Sequence, residues 1–255
     1  MNKLLTTLFA LSVACVTGLG YAQAPSAAPA QAPAAAQAQA PATTPAPAAA
    51  AATGKPAAQA PAGAKSLQAK VAMCIGCHGI KGYQASFPEV YRVPMISGQS
   101  AKYIAAALVA YKQGDRKHPT MRGIAVSLTD QDINDIAGFY ASSGSDASHQ
   151  LADKPSREPS PKVATLLQKA ACTSCHGANF SKPIDVYPKI GGQHGDYLFA
   201  ALRAYKTENN PTVGRNNAVM GAIAKQFSNA ELKALANYVS TLDGELKTVP
   251  ENKFR

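Results

Sequence analysis

Two cysteines three positions apart, with a histidine directly behind the second, occur twice in this 255-residue chain. In chain order the six residues are Cys74, Cys77, His78, Cys172, Cys175 and His176. On a helical turn the two sulfurs point the same way, so they can add to the two vinyl groups along one haem edge. The histidine at the next position then lies under the ring and reaches the iron. The spacing therefore predicts two covalently attached haem c groups.

Other chemistries also use paired cysteines. A structural zinc site can take two such pairs, but its histidine need not follow a cysteine directly. A thioredoxin-type redox pair is expected in a βαβ setting, and the sequence shows no such pattern. A disulfide is the simplest interpretation for an exported chain, but it leaves both histidines unexplained. Haem attachment is the interpretation that uses all three residues of each motif.

The fifth cysteine, Cys15, lies in a segment that resembles a secretory signal peptide, residues 1–22. Lys3 precedes an apolar run, and small residues ending at Ala22 provide a cleavage site. The alternative is an uncleaved anchor, because the stretch from Leu4 is just long enough to span a bilayer. Either interpretation predicts export of the folded part into an oxidising compartment.

The chain between the signal and the first motif is almost entirely alanine, proline and glutamine. Residues 23–64 have too few large apolar side chains to offset the entropy of ordering. Regular prolines stiffen such a segment toward polyproline II. We therefore predict a disordered Ala/Pro-rich linker here.

The charge of the chain is positive but dispersed. The formal net charge is +10; residues 65–150 carry nine basic and six acidic residues, and residues 151–255 carry fourteen and nine. Without a basic run, the sequence argues against a nucleic-acid partner. A mildly basic surface suits an acidic protein partner or a membrane face.

The motifs belong to a longer module that is written twice. The matching segments are VYRVPMISGQ (90–99) with VYPKIGGQ (186–193), YIAAALVAYK (103–112) with YLFAALRAYK (197–206), and MRGIAVSLTDQDINDIAGFYAS (121–142) with MGAIAKQFSNAELKALANYVST (220–241). The order is the same in both copies. We infer two homologous domains, residues 65–148 and 149–255.

The apolar residues within each copy recur with helical spacing. The clearest stripes are Ile104, Leu108, Tyr111 and their counterparts Leu198, Leu202, Tyr205, at i, i+4 and i+7. We predict an all-α fold with about three short helices per domain. Three short helices provide only a small hydrophobic core for a domain of this length. A haem would fill the middle of each domain.

Two methionines occupy equivalent positions of the repeat. Met121 lies 43 residues after His78, and Met220 lies 44 residues after His176. Each starts the pattern M-x-x-I-A. A neutral thioether holds Fe(II) well and raises the potential of a haem. We therefore predict Met121 and Met220 as the second axial ligands, with the two histidines as the first.

The competing ligands have no such counterpart. Met73 and Met95 align with Ala171 and Lys189, so we predict that they are core residues. His118 and His194 align with asparagine and serine, so we predict that they are surface residues.

Further repeated residues lie between the motifs. Pro94 and Pro188 precede a Gly-Gln pair in each copy, where a backbone carbonyl can accept the second ring N–H of the haem histidine. A simple turn role fits the spacing equally well. Four other repeated residues can contact haem propionates, or merely cap and pack: Tyr103, Tyr197, Arg116 and Arg215.

Taken together, the duplicated C-x-x-C-H, P-x-x-x-G-Q, tyrosine-bearing helix, M-x-x-I-A and closing helix resemble the dihaem class I cytochromes of the cytochrome c4 type. The resemblance covers residues 65 to about 242. It implies two class I cytochrome c domains related by a pseudo-two-fold axis, each with short helices around one haem. It also implies a periplasmic electron carrier, not an enzyme, that is often membrane-associated. Such a carrier takes electrons from a quinol-oxidising complex or dehydrogenase and feeds a membrane terminal oxidase.

Two other functions fit a dihaem chain. The first is an electron-transfer subunit of a dehydrogenase, such as a sulfide-oxidising flavocytochrome c, whose dihaem subunit looks alike. The second is a dihaem peroxidase, which needs an open iron; two methionine ligands argue against it. The long Ala/Pro segment departs from the resemblance and favours a tether over free diffusion.

Overall fold

A computed structural model of the chain describes residues 66–146, 148 and 150–250. The signal peptide expected at 1–22 and the linker expected at 23–64 lie outside the described residues. The helices of the first copy are α1 (Leu67–His78), α2 (Ala101–Gln113), α3 (Pro119–Ala125) and α4 (Asp130–Ser142). Those of the second are α5 (Pro161–Ala170), α6 (Thr173–His176), α7 (Gly195–Ala204), α8 (Ala218–Ala224) and α9 (Asn229–Ser240).

The described residues also form four strands of two residues each. They are β1 (Gln84–Ala85), β2 (Tyr91–Arg92), β3 (Arg116–Lys117) and β4 (Gly214–Arg215). β1 pairs antiparallel with β2, and β3 pairs antiparallel with β4. The all-α prediction is confirmed, since these strands only tie loops together.

The expected number of about three helices per domain was wrong. The described part of the chain has four helices in the first copy and five in the second. The seven-residue helices α3 and α8 are too short to show an apolar stripe. The helix of the second motif is also broken, because Ala171 adopts a left-handed conformation with φ 48° and separates α5 from α6.

Polar caps define where helices begin, and a glycine defines where α2 ends. Thr129 with Asp132, and Ser228 with Glu231, form capping boxes at the starts of α4 and α9. Gly114 ends α2 in a left-handed conformation with φ 89°. The helices α4 and α9 therefore start at equivalent positions of the two copies.

Each copy has its own hydrophobic core. In the first, α2 packs on α4; in the second, α7 packs on α9. The central buried residues are Val71, Ile104, Leu108, Ile133 and Ile136 in the first core, and Val163, Leu166, Leu198, Leu232 and Leu235 in the second. Fully burying one such side chain contributes about 1.5–3 kcal/mol.

Ion pairs link the two copies at equivalent positions with opposite charge. Lys102, at the second residue of α2, pairs with Asp185 of the second copy. Asp196, at the second residue of α7, pairs with Arg92 of the first copy, and its carboxylate also accepts from the Arg92 backbone N–H at 3.0 Å. Lys102 and Asp196 therefore each hold the two copies together through an ion pair, with opposite polarity.

The end of the described chain returns to the first copy. The backbone N–H of Lys247 donates to the carbonyl of Ser97 at 3.0 Å. Gly98 lies so close that a Cβ atom there would be 2.6 Å from the Glu245 carbonyl oxygen. The segment from Glu245 to Lys247 therefore packs on the turn that leads into α2.

Candidate haem sites

Both C-x-x-C-H motifs lie on helical backbone. Cys74 and Cys77 lie in the last two turns of α1, which ends at His78. In the second copy Cys172 occupies the N-cap position of the single-turn helix α6. This helix contains Cys175 and ends at His176. In both copies the cysteines therefore have the spacing of one helical turn. Within the described residues, none of the four motif cysteines forms a disulfide.

The prolines that follow the motifs accept a hydrogen bond from the histidines. Nδ1 of His78 lies 2.8 Å from the Pro94 carbonyl oxygen, and Nδ1 of His176 lies 2.9 Å from that of Pro188. Burial lowers the pKa of both histidines, which keeps the rings neutral. A neutral ring that donates from Nδ1 leaves Nε2 free as a metal ligand. The geometry thus decides between the two roles the spacing left open for the prolines.

A single large cavity contains both motifs. Its volume is about 730 Å³, and residues of both copies line it. The lining includes all eight predicted site residues: Cys74, Cys77, His78, Met121, Cys172, Cys175, His176 and Met220. The structure therefore brings the predicted cysteines, histidines and methionines together around one apolar space.

The two predicted methionine ligands have matching local structure. Met121 is the third residue of α3, and its backbone N–H is capped by Nδ1 of His118 at 3.3 Å. Met220 is the third residue of α8, and its N–H is capped by Oδ1 of Asn217 at 2.9 Å. A side-chain cap fixes the first turn of a short helix, so each methionine is held at the same place on its helix.

The competing residues have other roles. Met73 and Met95 also line the cavity, but the prediction that Met73 is a core residue was wrong, because its side chain is 65% exposed. His118 and His194 are partly buried and occupy the N-cap positions of α3 and α7, where the His118 side chain accepts from a backbone N–H and the His194 side chain makes no capping bond. Alignment of His118 with Asn217 is the signal that sequence reasoning missed, since both types can cap a helix.

The repeated arginines and tyrosines form one cluster between the copies. Arg116 and Arg215 face each other across the β3–β4 pair. Arg116 donates to the hydroxyls of Tyr103 (3.3 Å) and Tyr197 (3.4 Å), and Arg215 donates to Tyr197 (3.1 Å). Within the described residues, neither guanidinium has a carboxylate at salt-bridge distance, and Nε of Arg116 is buried without a partner.

This cluster makes the cavity strongly positive at the boundary between the copies. Burial alone raises the pKa of Tyr197, but the guanidiniums of Arg215 and Arg116 lower it to about 7. Tyr103, with one guanidinium partner, keeps a pKa raised by burial to about 12. The site thus favours a negatively charged group where the two copies meet.

Two buried glutamines were missed as site residues. No role was assigned to Gln99 or Gln193 from the sequence, but each side chain crosses to the other copy. Gln99 hydrogen-bonds both backbone groups of Lys189, and Gln193 those of Met95. The repetition of glutamine in both copies was the available signal.

The residues of the cavity fit haem. The paired thiols can bond to one haem edge, each histidine has Nε2 free, and the buried guanidiniums without carboxylate partners suit the acidic edge of the ring. The rest of the lining is mostly apolar, as a large flat ring requires.

Comparison with known proteins also indicates haem as the bound group. The family described as Cytochrome c matches the chain twice, over residues 60–143 and 161–243. The fold and the sites thus define a cytochrome c with two haem-binding domains in tandem.

Individual relatives narrow the class. Cytochrome c4 of Stutzerimonas stutzeri is 31% identical over 199 residues, which is 72% of this chain and 91% of the relative. The crystal structure of reduced recombinant cytochrome c4 from Pseudomonas stutzeri is similar with a TM-score of 0.51 at 28% identity, covering 69% of this chain and 97% of that one. A thiosulfate dehydrogenase electron acceptor of Stutzerimonas stutzeri is 26% identical over 66% of this chain and 78% of its own length.

The chain belongs to the cytochrome c family, as a dihaem member of the cytochrome c4 type. It has two covalently bound haem c groups and transfers electrons with redox protein partners. None of the described helices is both long and apolar enough to cross a membrane.

Proposed function

We propose that the protein is an electron carrier in which both irons are closed by two strong protein ligands. His78 with Met121 holds one iron, and His176 with Met220 holds the other. The thioethers form at Cys74, Cys77, Cys172 and Cys175. The observation that carries the proposal is the equivalence of the capped methionine helices α3 and α8, whose methionines line the same cavity as the histidines. With both ligand positions taken by these side chains, each haem would supply electron exchange and would leave no position for a substrate, so we propose that the protein is not an enzyme.

The chain contributes binding, orientation and electrostatics around the haems. When bound, each haem supplies a one-electron Fe(III)/Fe(II) couple. The carbonyls of Pro94 and Pro188 fix the rings of the two histidines through Nδ1. We propose that Arg116 and Arg215 face the haem carboxylates at the boundary between the domains. Apolar lining residues keep water away from the ring.

The setting we propose is the periplasm, with the N-terminal segment as the part of the chain that would provide membrane association. Residues 1–22 act as the signal and 23–64 as the linker, and the haem domains occupy 65–148 and 149–255. Electrons enter from a quinol-oxidising complex or a dehydrogenase and leave to a membrane terminal oxidase. The net charge of +10 suits docking to acidic partner surfaces.

A second candidate is the electron acceptor of a dedicated dehydrogenase. The similarity to thiosulfate dehydrogenase electron acceptors of Stutzerimonas stutzeri and Thiomonas intermedia favours it. In this case the dehydrogenase, not a quinol-oxidising complex, would be the main source of electrons.

Electron delivery distinguishes the two candidates. The oxidised protein is mixed with membranes from its own source plus a quinol, or with the soluble fraction plus thiosulfate, and haem reduction is followed by absorbance. Reduction by membranes, followed by oxygen-dependent reoxidation, supports the respiratory carrier. Rapid reduction only by the soluble fraction with thiosulfate supports the dehydrogenase partner. Failure of reoxidation by oxidase-containing membranes would contradict the main proposal.

A further inference from the structure

Two peptide groups connect the haem histidines of one domain to a glutamine of the other. The Pro94–Met95 peptide receives the ring of His78 at its carbonyl oxygen, at 2.8 Å, and its N–H donates to Oε1 of Gln193 at 3.1 Å. The Pro188–Lys189 peptide repeats this arrangement. Its carbonyl accepts from His176 at 2.9 Å, and its N–H donates to Oε1 of Gln99 at 2.9 Å.

Both glutamines are held so that only one orientation of the amide is satisfied. Gln193 is 3% exposed, and its Oε1 receives two backbone N–H groups, those of Met95 and His194. Its Nε2 donates to the Met95 carbonyl at 2.8 Å. A flipped amide would place donors against donors, and a buried polar group without partners is costly. The acceptor Oε1 is therefore fixed toward the peptide N–H.

A hydrogen bond at one end of a peptide strengthens the bond at its other end. An acceptor on the N–H polarises the amide and makes its carbonyl oxygen a better acceptor. A better acceptor draws the ring proton of the histidine more strongly and makes the opposite ring nitrogen more basic. A more basic ligand favours Fe(III) over Fe(II), and this lowers the reduction potential of that haem.

We propose that Gln193 tunes the haem held by His78, and that Gln99 tunes the haem held by His176, each across the domain boundary. They are positioning residues that act through the Pro94–Met95 and Pro188–Lys189 peptides. Each domain thus lowers the reduction potential of the haem in the other domain. Both potentials should therefore rise when the domains separate. The inference rests on the histidine ligation proposed above.

The test is the pair of variants Gln193→Leu and Gln99→Leu in the full-length holoprotein. The two potentials are followed separately by proton NMR during redox titration, with haem methyl signals assigned through Met121→Ala and Met220→Ala. Gln193→Leu should favour Fe(II) at the first haem by about twofold, or ~18 mV for a one-electron couple. It should leave the second haem unchanged, and Gln99→Leu should do the reverse. A shift in the variant's own domain, equal shifts in both, or no shift would overturn the proposal.

Two further variants separate tuning from a merely structural role. Gln193→Glu keeps an oxygen acceptor for the Met95 N–H, so the potential of the first haem should be at or below that of the unmodified protein. Asn216→Leu replaces one uncharged side chain by another, removes the cross-domain hydrogen bond from Asn216 to the Asp115 carboxylate and touches neither peptide, so it should not raise the potential of the first haem. A rise in either variant equal to that of Gln193→Leu would reduce the glutamine to a structural contact.

A last variant distinguishes failure of this inference from failure of the ligand assignment. His78→Ala should abolish the low-spin spectrum of the first haem or prevent its maturation. If the spectrum is unchanged, the proposed function fails, whatever the glutamine variants do. If it is lost and the glutamine variants shift nothing, only the cross-domain tuning fails.

Discussion

A Gly→Ala substitution is expected to have opposite effects at two glycines of the first domain. Gly98 has φ 83°, and a Cβ atom there would lie 2.6 Å from the Glu245 carbonyl oxygen. Gly138 lies inside α4, is exposed, and would place its Cβ in open space. The same methyl group is therefore added once to a strained, closed position and once to a helix surface.

The magnitudes follow from these two environments. At position 98, left-handed backbone costs a non-glycine residue about 1–2 kcal/mol, and overpacking against a backbone carbonyl costs about 1–3 kcal/mol more. The sum of about 2–5 kcal/mol lowers the melting temperature by roughly 4–20 °C for a folded part of this size. At position 138, alanine in place of glycine stabilises a helix interior by about 0.5–1 kcal/mol.

Thermal unfolding of the holoprotein, followed by far-ultraviolet circular dichroism, measures both changes. Gly98→Ala should melt clearly below the unmodified protein, and Gly138→Ala at or slightly above it. Because Gln99 directly follows Gly98, the first variant should also raise the potential of the haem held by His176. A Gly98→Ala variant as stable as Gly138→Ala would refute the packing of residues 245–249 against the first domain.

Three more outcomes follow from charges and packing. Electron transfer with an acidic partner should slow as salt is added, because screening shortens the attraction; stopped-flow rates indifferent to salt would argue against a charged docking face. Hydrogen bonds from Lys70 lower the pKa of Asp132 and Asp135. Their stabilisation is complete above the unfolded pKa of about 4 and is lost as the pH falls, so Lys70→Met should weaken the pH dependence of melting in acid. Leu232→Ala, at a side chain 1% exposed, should cost about 2.7–5 kcal/mol in denaturant unfolding; a loss under about 1 kcal/mol would place Leu232 outside the core.

The sequence predicted the fold class because its signals are local and occur twice. Helix caps such as Thr129 and Ser160, and the terminator Gly114, act on their own helix, so they can be seen without the tertiary structure. The duplicated spacing from histidine to methionine likewise needs only the chain order. These features predicted which residues would lie together around the haem sites.

Contacts between the domains could not be predicted in the same way. The cross-domain partners of Gln99 and Gln193 are backbone groups 90 and 98 residues away, and any residue type has such groups. The short helix α6 depends on the left-handed conformation of Ala171, and an alanine in a sequence does not predict that conformation. The repetition of glutamine in both copies indicated a shared role for these positions, but only the tertiary structure shows which groups they contact.

The central claim is that both irons are closed by a histidine and a methionine, and carbon monoxide binding tests it most directly. Reduced native protein should bind carbon monoxide negligibly, because neither iron has a vacant position. Met121→Ala should bind one equivalent at the first haem and Met220→Ala one equivalent at the second, while Met95→Ala, the matched control, should bind none. Native protein that takes up a full equivalent, or a Met95→Ala variant that behaves like Met121→Ala, would contradict the account.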